Sequence, residues 1–168
     1  MKDIKILVLD VDGTLTNGKI YIDDKDNSFK AFNVKDGFAL VNWIKLGGEV
    51  VILTGKRSNI VERRAKELGI KYVIQGSKNK TQDLKNLLKE LNITFENTAY
   101  MGDDLNDLGV MKNVALSGCP KNSVQEVLEI SNFISTKNGG DGAVREFLEY
   151  IMKNNGMWKK ILEKYSSE

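Results

Sequence analysis

The chain of 168 residues contains no histidine. This excludes Ser-His-Asp and Cys-His nucleophile systems and every histidine-ligated metal site. It contains one cysteine, Cys119, an inert loop thiol beside Pro120. One cysteine makes neither an internal disulfide nor a thiolate zinc site, and a reducing compartment fits such usage best. No apolar run approaches the ~20 residues of a membrane span. The N-terminal stretch has no signal-peptide core, because Lys5 interrupts it and Asp10 ends it. Neither sign of charge dominates. The 25 basic and 23 acidic residues leave a net +2, which gives no electrostatic case for nucleic acid or an anionic membrane as partner. A soluble cytoplasmic protein is expected. Its chemistry must come from Asp, Glu, Lys, Ser, Thr or an oxygen-preferring metal.

What is present reads as one globular domain, with 41% hydrophobic and 29% charged residues. Residues 4–9 (IKILVL) form a short run of β-formers, apolar enough to be covered on both faces, as in a parallel sheet. Residues 49–53, 71–74 and 98–101 repeat the pattern, and 114–116 and 132–134 do so more weakly. Helical periodicity lies between them. A first helix spans 36–46 and stops at Gly47 and Gly48; Asn59 and Glu62 have capping-box spacing before a helix ending at Gly69. Leu84, Leu87, Leu88 and Leu91 share one helix face, with Asn92 as its end cap. Residues 104–111, 123–130 and 143–152 complete the set. Strands alternating with helices predict an α/β doubly wound sheet. Residues 17–34 break the alternation: two alternating runs around Asp23–Asn27 predict a β-hairpin inserted after the first strand. The tail, 154–168, is expected to form a terminal helix on this chain or on another subunit.

Ligands of open α/β sheets bind outside the carboxyl ends of the strands. Four polar clusters fall there: Asp10 to Thr14 (DVDGT), Thr54 to Lys56 (TGK), Asn79-Lys80 opening a helix, and Gly102 to Asp104 (GDD). Carboxylates this crowded repel unless a cation intervenes. An all-oxygen set suits Mg²⁺. Lys80 and Thr54 supply a point charge and a hydroxyl donor for phosphate oxygens. Without histidine, a carboxylate must be the nucleophile of any covalent route. Asp10 is best placed for it, and Asp12 is placed to act as general acid, then base. Mg²⁺ between Asp10, Asp103 and the phosphate shields the nucleophile from its anionic target.

In order and context, Asp10-x-Asp12-Gly13-Thr14-Leu15, Thr54, Lys80 and Gly102-Asp103-Asp104-x-x-Asp107 resemble the four motifs of the haloacid dehalogenase superfamily. Four further stretches resemble its 3-deoxy-D-manno-octulosonate (KDO) 8-phosphate phosphatase family: Lys30 to Gly37 (KAFNVKDG), Gln75 to Lys80 (QGSKNK), Ala99 to Asp104 (AYMGDD) and Gly139 to Glu146 (GGDGAVRE). The match runs from about residue 4 to 150. The resemblance implies a fold without a large cap domain, Mg²⁺, and hydrolysis of the phosphate from an eight-carbon sugar acid of lipopolysaccharide synthesis. It also implies a homotetramer in which hairpins meet and neighbouring subunits close each site. It makes Asp10 nucleophile and metal ligand, Asp12 acid/base with its backbone carbonyl on the metal, and Asp103 the remaining ligand. It places Asn33, Val34, Lys35, Asp36, Gly37, Lys56, Arg64 and Lys80 against substrate, with Asp104 and Asp107 behind them. Relatives commonly carry Arg at position 56 and some carry a basic residue at Val41, so a nine-carbon sialic-type 9-phosphate is the alternative substrate.

Plainer readings exist. Asp10 and Asp12 can be turn residues, Thr54 a helix cap and Lys80 an exposed first-turn lysine. Asp104 and Asp107 are favoured at a helix start in any case. Lys35, Lys56, Arg64 and Arg145 can be solvated charges or local ion pairs. Trp43 is expected in the core or an interface, and Trp158 packing the tail. A receiver-type phosphoacceptor domain also uses Asp, Thr, Lys and Mg²⁺, but has no need of Asp12 two residues after the phosphorylated group.

Overall fold

The computed structural model describes residues 3–25 and 27–167. Met1 and Lys2 of the N-terminal stretch, Asp26 of the expected hairpin turn and Glu168 of the tail lie outside the described residues. The strands are β1 (Ile6–Leu9), β2 (Tyr21–Ile22), β3 (Ser28–Phe29), β4 (Glu49–Thr54), β5 (Tyr72–Gln75), β6 (Thr98–Met101), β7 (Leu116–Cys119) and β8 (Phe133–Ile134). The helices are α1 (Val34–Lys45), α2 (Asn59–Leu68), α3 (Lys80–Glu90), α4 (Leu108–Met111), α5 (Gln125–Ile130), α6 (Ala143–Asn154) and α7 (Met157–Ser166).

Six strands make one sheet in the order β5-β4-β1-β6-β7-β8, and every neighbouring pair is parallel. β2 and β3 pair antiparallel by themselves, with Tyr21 opposite Phe29. This is the predicted inserted hairpin. The sheet alternates faces with the two-residue period of a strand. Leu7, Leu9, Val50, Ile52, Ala99 and Met101 enter one core with Trp43, Phe147 and Ile151 of α1 and α6. Ile6, Val8, Val51, Leu53 and Tyr100 enter the other with Leu84, Leu88 and Val127 of α3 and α5. Because both faces are covered, the strands read as continuous apolar runs.

Several boundaries move. α1 begins at Val34 because the Asn33 side chain accepts the Lys35 N–H at 2.8 Å, an N-cap. The capping box at Asn59 and Glu62 does not form: Ser58 is the cap residue, and its side chain makes no capping bond. Gln75 does that work from β5, accepting the Ser58 N–H at 2.7 Å and donating to Glu62 at 2.9 Å. β7 covers Leu116–Cys119, later than the expected 114–116, since the Ala115 N–H is bonded to the Phe95 and Thr98 carbonyls. Cys119 is therefore a buried strand residue and not a loop thiol. Trp43 is fully buried, its indole N–H donating to the Glu49 carbonyl at 3.0 Å. The tail helix α7 packs on its own chain. Ile161 is buried, the Tyr165 ring lies 5.0 Å from that of Phe38, and Trp158 stacks on Arg145 at 4.9 Å.

Candidate active site

β1 sits between β4 and β6: the chain runs from β1 through β4 to β5 on one side and then crosses back to β6 on the other, so the strand order reverses at β1. The carboxyl end of β1 is thus the point where a crevice opens. Asp10 follows β1, Thr54 ends β4, Gly102 and Asp103 follow β6, and Lys80 opens α3 after β5. Asp10, Asp12, Thr54, Lys56, Asp103 and Asp104 line one pocket of about 300 Å³. The parallel register alone brings together side chains distant in sequence.

Lys80 is not a solvated lysine. It is 5% exposed and donates to Asp10 Oδ1 at 2.8 Å and to Asp107 Oδ1 at 2.7 Å. Asp107 is wholly buried. It also takes the Tyr100 hydroxyl, and its Oδ2 accepts the backbone N–H of Asp103 at 2.9 Å and of Asp104 at 3.2 Å. Asp107 therefore fixes both Lys80 and the turn that carries Asp103. Tyr100 was missed in the sequence, where it reads as one more strand residue. Asp104 is exposed and caps the short turn after it, accepting the Leu105 N–H at 2.7 Å. The Thr54 hydroxyl accepts the Lys56 N–H at 3.4 Å.

The loop after Asp10 makes a single wide turn over Val11–Leu15. It needs glycine at position 13, where φ is +96° and a Cβ would lie 2.0 Å from Asp103 Oδ2. Thr14 donates its hydroxyl to Asp103 Oδ1 at 3.1 Å. A second loop braces the first from behind. A Cβ at Gly139 would lie 1.7 Å from the Gly13 carbonyl oxygen, and the Gly140 N–H donates to the Thr14 carbonyl at 3.1 Å. Asp12 is half-buried at the pocket and ion-paired with Lys30, which follows β3 of the hairpin. Lys30 opened the family-like stretch Lys30 to Gly37 but was not among the expected site residues, and Asn106, which borders the pocket, carried no distinguishing signal in the sequence.

The remaining predicted substrate residues lie elsewhere within the chain. Asn33, Asp36, Gly37 and Arg64 line their own small cavity of about 10 Å³, room for one water. Val34 is 78% exposed and Lys35 is exposed. Asn33 also donates to the Gly140 carbonyl at 3.3 Å. Asp36 is buried, with Oδ1 accepting the Arg145 N–H at 2.8 Å and Oδ2 without a partner. Val41 lies beside Phe38 and Tyr165, away from the carboxylates. Arg145 pairs with Glu149 at 2.6 Å and stacks on Phe38.

The carboxylates strain against one another. Burial and the charge of Asp107 push the Asp10 carboxyl up to about 6, with Lys80 pulling partly back. Burial, Asp10 and Asp107 push Asp103 up to about 7, and the Thr14 hydroxyl offsets this in part. Burial lowers Lys80, but Asp10 and Asp107 outweigh it and hold the ammonium above its usual range. Carboxylate oxygens of Asp10, Asp103 and Asp107 lie within 4.8 Å of one another. Both Asp107 oxygens are already committed, so Asp10 and Asp103 hold the coordinating capacity. A hard cation there would relieve their repulsion, and an all-oxygen donor set fits Mg²⁺.

A family model of haloacid dehalogenase-like hydrolases matches residues 72–148. The 3-deoxy-D-manno-octulosonate 8-phosphate phosphatase of Escherichia coli is 38% identical over 155 residues, covering 92% of this chain and 82% of that protein. The enzyme of that name from Yersinia pestis is 37% identical, covering 89% of this chain and 80% of its own. The crystal structure of the Moraxella catarrhalis enzyme of the same name, in complex with magnesium, phosphate and KDO, superposes with a TM-score of 0.93 at 40% identity. It covers 96% of this chain and 94% of its own. These relatives are phosphatases, which sets the receiver-type alternative aside. With such a relative matched over most of both chains, and the strand-end carboxylates and lysine assembled in one pocket, the chain belongs to the 3-deoxy-D-manno-octulosonate 8-phosphate phosphatase family of haloacid dehalogenase-like hydrolases.

Proposed function

We propose that this chain hydrolyses 3-deoxy-D-manno-octulosonate 8-phosphate to the sugar acid and phosphate. The observation that carries the reading is the 38% identity to the Escherichia coli phosphatase across 92% of the chain. The pocket supports the chemistry. Asp10 has one oxygen held by Lys80 and its Oδ2 free to attack phosphorus. The bond from phosphorus to the sugar oxygen breaks as the new bond to Asp10 forms, and Asp12 gives its proton to the departing oxygen. Water then attacks the aspartyl phosphate, Asp12 takes up a proton from it, and the Asp10–phosphorus bond breaks. Proton transfer of this kind contributes typically 10²–10⁴-fold. Lys80 and Thr54 are assigned to the phosphoryl oxygens, the former balancing charge and the latter donating a hydrogen bond. Asp10, Asp103 and the Asp12 carbonyl would hold Mg²⁺, which supplies charge neutralisation at the phosphate. Asp104 and Asp107 are assigned to support, the latter by orienting Lys80.

Assembly belongs to the same reading. Ile20, Ile22 and Phe29 of the hairpin are 72%, 74% and 59% exposed. Apolar side chains grouped on one ribbon suit a contact with further copies of the chain, as a homotetramer would provide. In such an assembly Asn33, Val34, Lys35 and Arg64 would complete the substrate surface of a neighbouring subunit, while Lys56 acts in the pocket of its own chain and the buried Asp36 and Gly37 hold the start of α1 in place. Among the described residues no helix is long and apolar enough to cross a membrane. A cytoplasmic location is part of the proposal, supported by the single buried thiol.

The test is phosphate release with Mg²⁺ from KDO 8-phosphate, nine-carbon sialic-type 9-phosphates, hexose phosphates and p-nitrophenyl phosphate. The highest kcat/KM is expected for KDO 8-phosphate. Preference for a nine-carbon acid would move the substrate and keep the chemistry. No release from any of them would overturn the reading.

A further inference from the structure

A groove of about 180 Å³ adjoins the carboxylate pocket, and Lys19, Lys30, Lys56 and Arg57 all line it. Lys56 borders both spaces. Four cations converge on this groove while the next space is crowded with acids. Among the described residues, only Lys30 of the four is ion-paired, and its partner is Asp12. Lys30 is 18% exposed at the side chain and Asp12 27%. The pair therefore stands at the junction of the two spaces. It ties the hairpin to the carboxyl group that must reach the leaving oxygen.

Resting on the function proposed above, we propose that Lys30 is a specificity-determining residue that exchanges partners during binding. It holds the Asp12 carboxylate before substrate arrives and passes to the negatively charged group of the substrate's sugar-acid end. That exchange frees the Asp12 carboxylate to take up a proton from water and turn toward the oxygen between phosphorus and sugar, to which it then gives that proton. A phosphate ester with a second anion, placed away from the phosphate, gains from the groove. An ester of a neutral sugar does not release Lys30 and gains little. The physical basis is the strength of charge-assisted hydrogen bonds in a partly enclosed site. Flexibility suits the exchange, since an ammonium on a four-carbon stem re-aims without moving the backbone.

The experiment compares wild type, Lys30→Met and Lys30→Arg on KDO 8-phosphate and on mannose 6-phosphate, in the full-length protein with Mg²⁺. KM does not depend on the fraction of enzyme that is folded, so partial misfolding of a variant does not obscure the result. For Lys30→Met, KM for the sugar-acid ester should rise tenfold or more, as loss of a charge-assisted bond implies. KM for mannose 6-phosphate should change less than about twofold, the size left when no charged bond is lost. Lys30→Arg should recover most of the loss. Equal changes in KM for both esters, or a fall in kcat alone, would overturn the exchange and leave Lys30 as a support for Asp12. A wild type inactive on KDO 8-phosphate would instead overturn the proposed function, and this inference with it.

Discussion

Replacing Asp36 by asparagine separates the charge of this side chain from its shape. Asp36 is 2% exposed. One oxygen accepts the Arg145 N–H at 2.8 Å and the other has no partner. Burial pushes its carboxyl from 3.8 up to about 6, and the N–H and guanidinium of Arg145 recover only part of the cost. The folded protein thus holds this proton to higher pH than the unfolded chain. The sign follows: stability is fully present below 3.8 and is lost as pH rises toward about 6. Across that interval the loss is roughly 3 kcal/mol, at about 1.4 kcal/mol per pH unit. Asparagine keeps the carbonyl that accepts the Arg145 N–H and cannot ionise. Its stability relative to wild type should therefore climb by roughly 3 kcal/mol from below pH 4 to above pH 6, or about 6–12 °C in Tm for a chain of this size. The new amide NH₂ adds an offset that is the same at every pH, so only the slope is diagnostic. Other titrating groups are common to both proteins and cancel. Urea denaturation of the pair at a series of pH values gives the difference directly. A difference that stays constant with pH would refute the reasoning.

Three further outcomes are expected. Asp10→Asn should abolish phosphate release and leave the denaturation midpoint near or above that of wild type, since a crowded charge is removed; turnover at the wild-type rate would remove Asp10 as nucleophile. Gly13→Ala should lose most activity and be destabilised by at least the ~1–2 kcal/mol of a left-handed backbone, because its Cβ would also meet Asp103 Oδ2 at 2.0 Å. Full activity with an unchanged urea midpoint would show that the turn tolerates a side chain. The double change Ile20→Lys and Ile22→Lys should shift the mass measured by light scattering toward the monomer, and an unchanged oligomer would exclude the hairpin from the contact.

The sheet was legible because parallel strands covered on both faces leave continuous apolar runs, each ending at a polar cluster. The alignment of Asp10, Thr54 and Asp103 follows from strand order, so the pocket could be read before its geometry was known. Helix ends were less legible. The cap of α2 depends on Gln75, a residue of another strand that no local spacing reveals. Lys30 stood at the head of the family-like stretch Lys30 to Gly37 with no role attached, because its pairing with Asp12 exists only once the hairpin folds back. Asp36 has the opposite problem. Its neighbours in sequence suggest a substrate contact, yet the helix turns it inward to the start of α6. Tyr100 and Asp107 meet only through the register of β6 against the turn that follows it.

The loop bearing Asp10 and Asp12 is translated early, but what braces it is translated late. Its central strand is flanked on one side by β6, and Gly139 and Gly140 close over its turn. Loop-closure entropy has to be met before such distant contacts form. A nascent chain leaving the ribosome at about 5–20 residues per second therefore carries the Asp10 and Asp12 carboxylates for some seconds without the backbone that aims them. Any truncation short of the Gly139 to Gly142 segment should leave a chain that binds Mg²⁺ weakly and cleaves nothing.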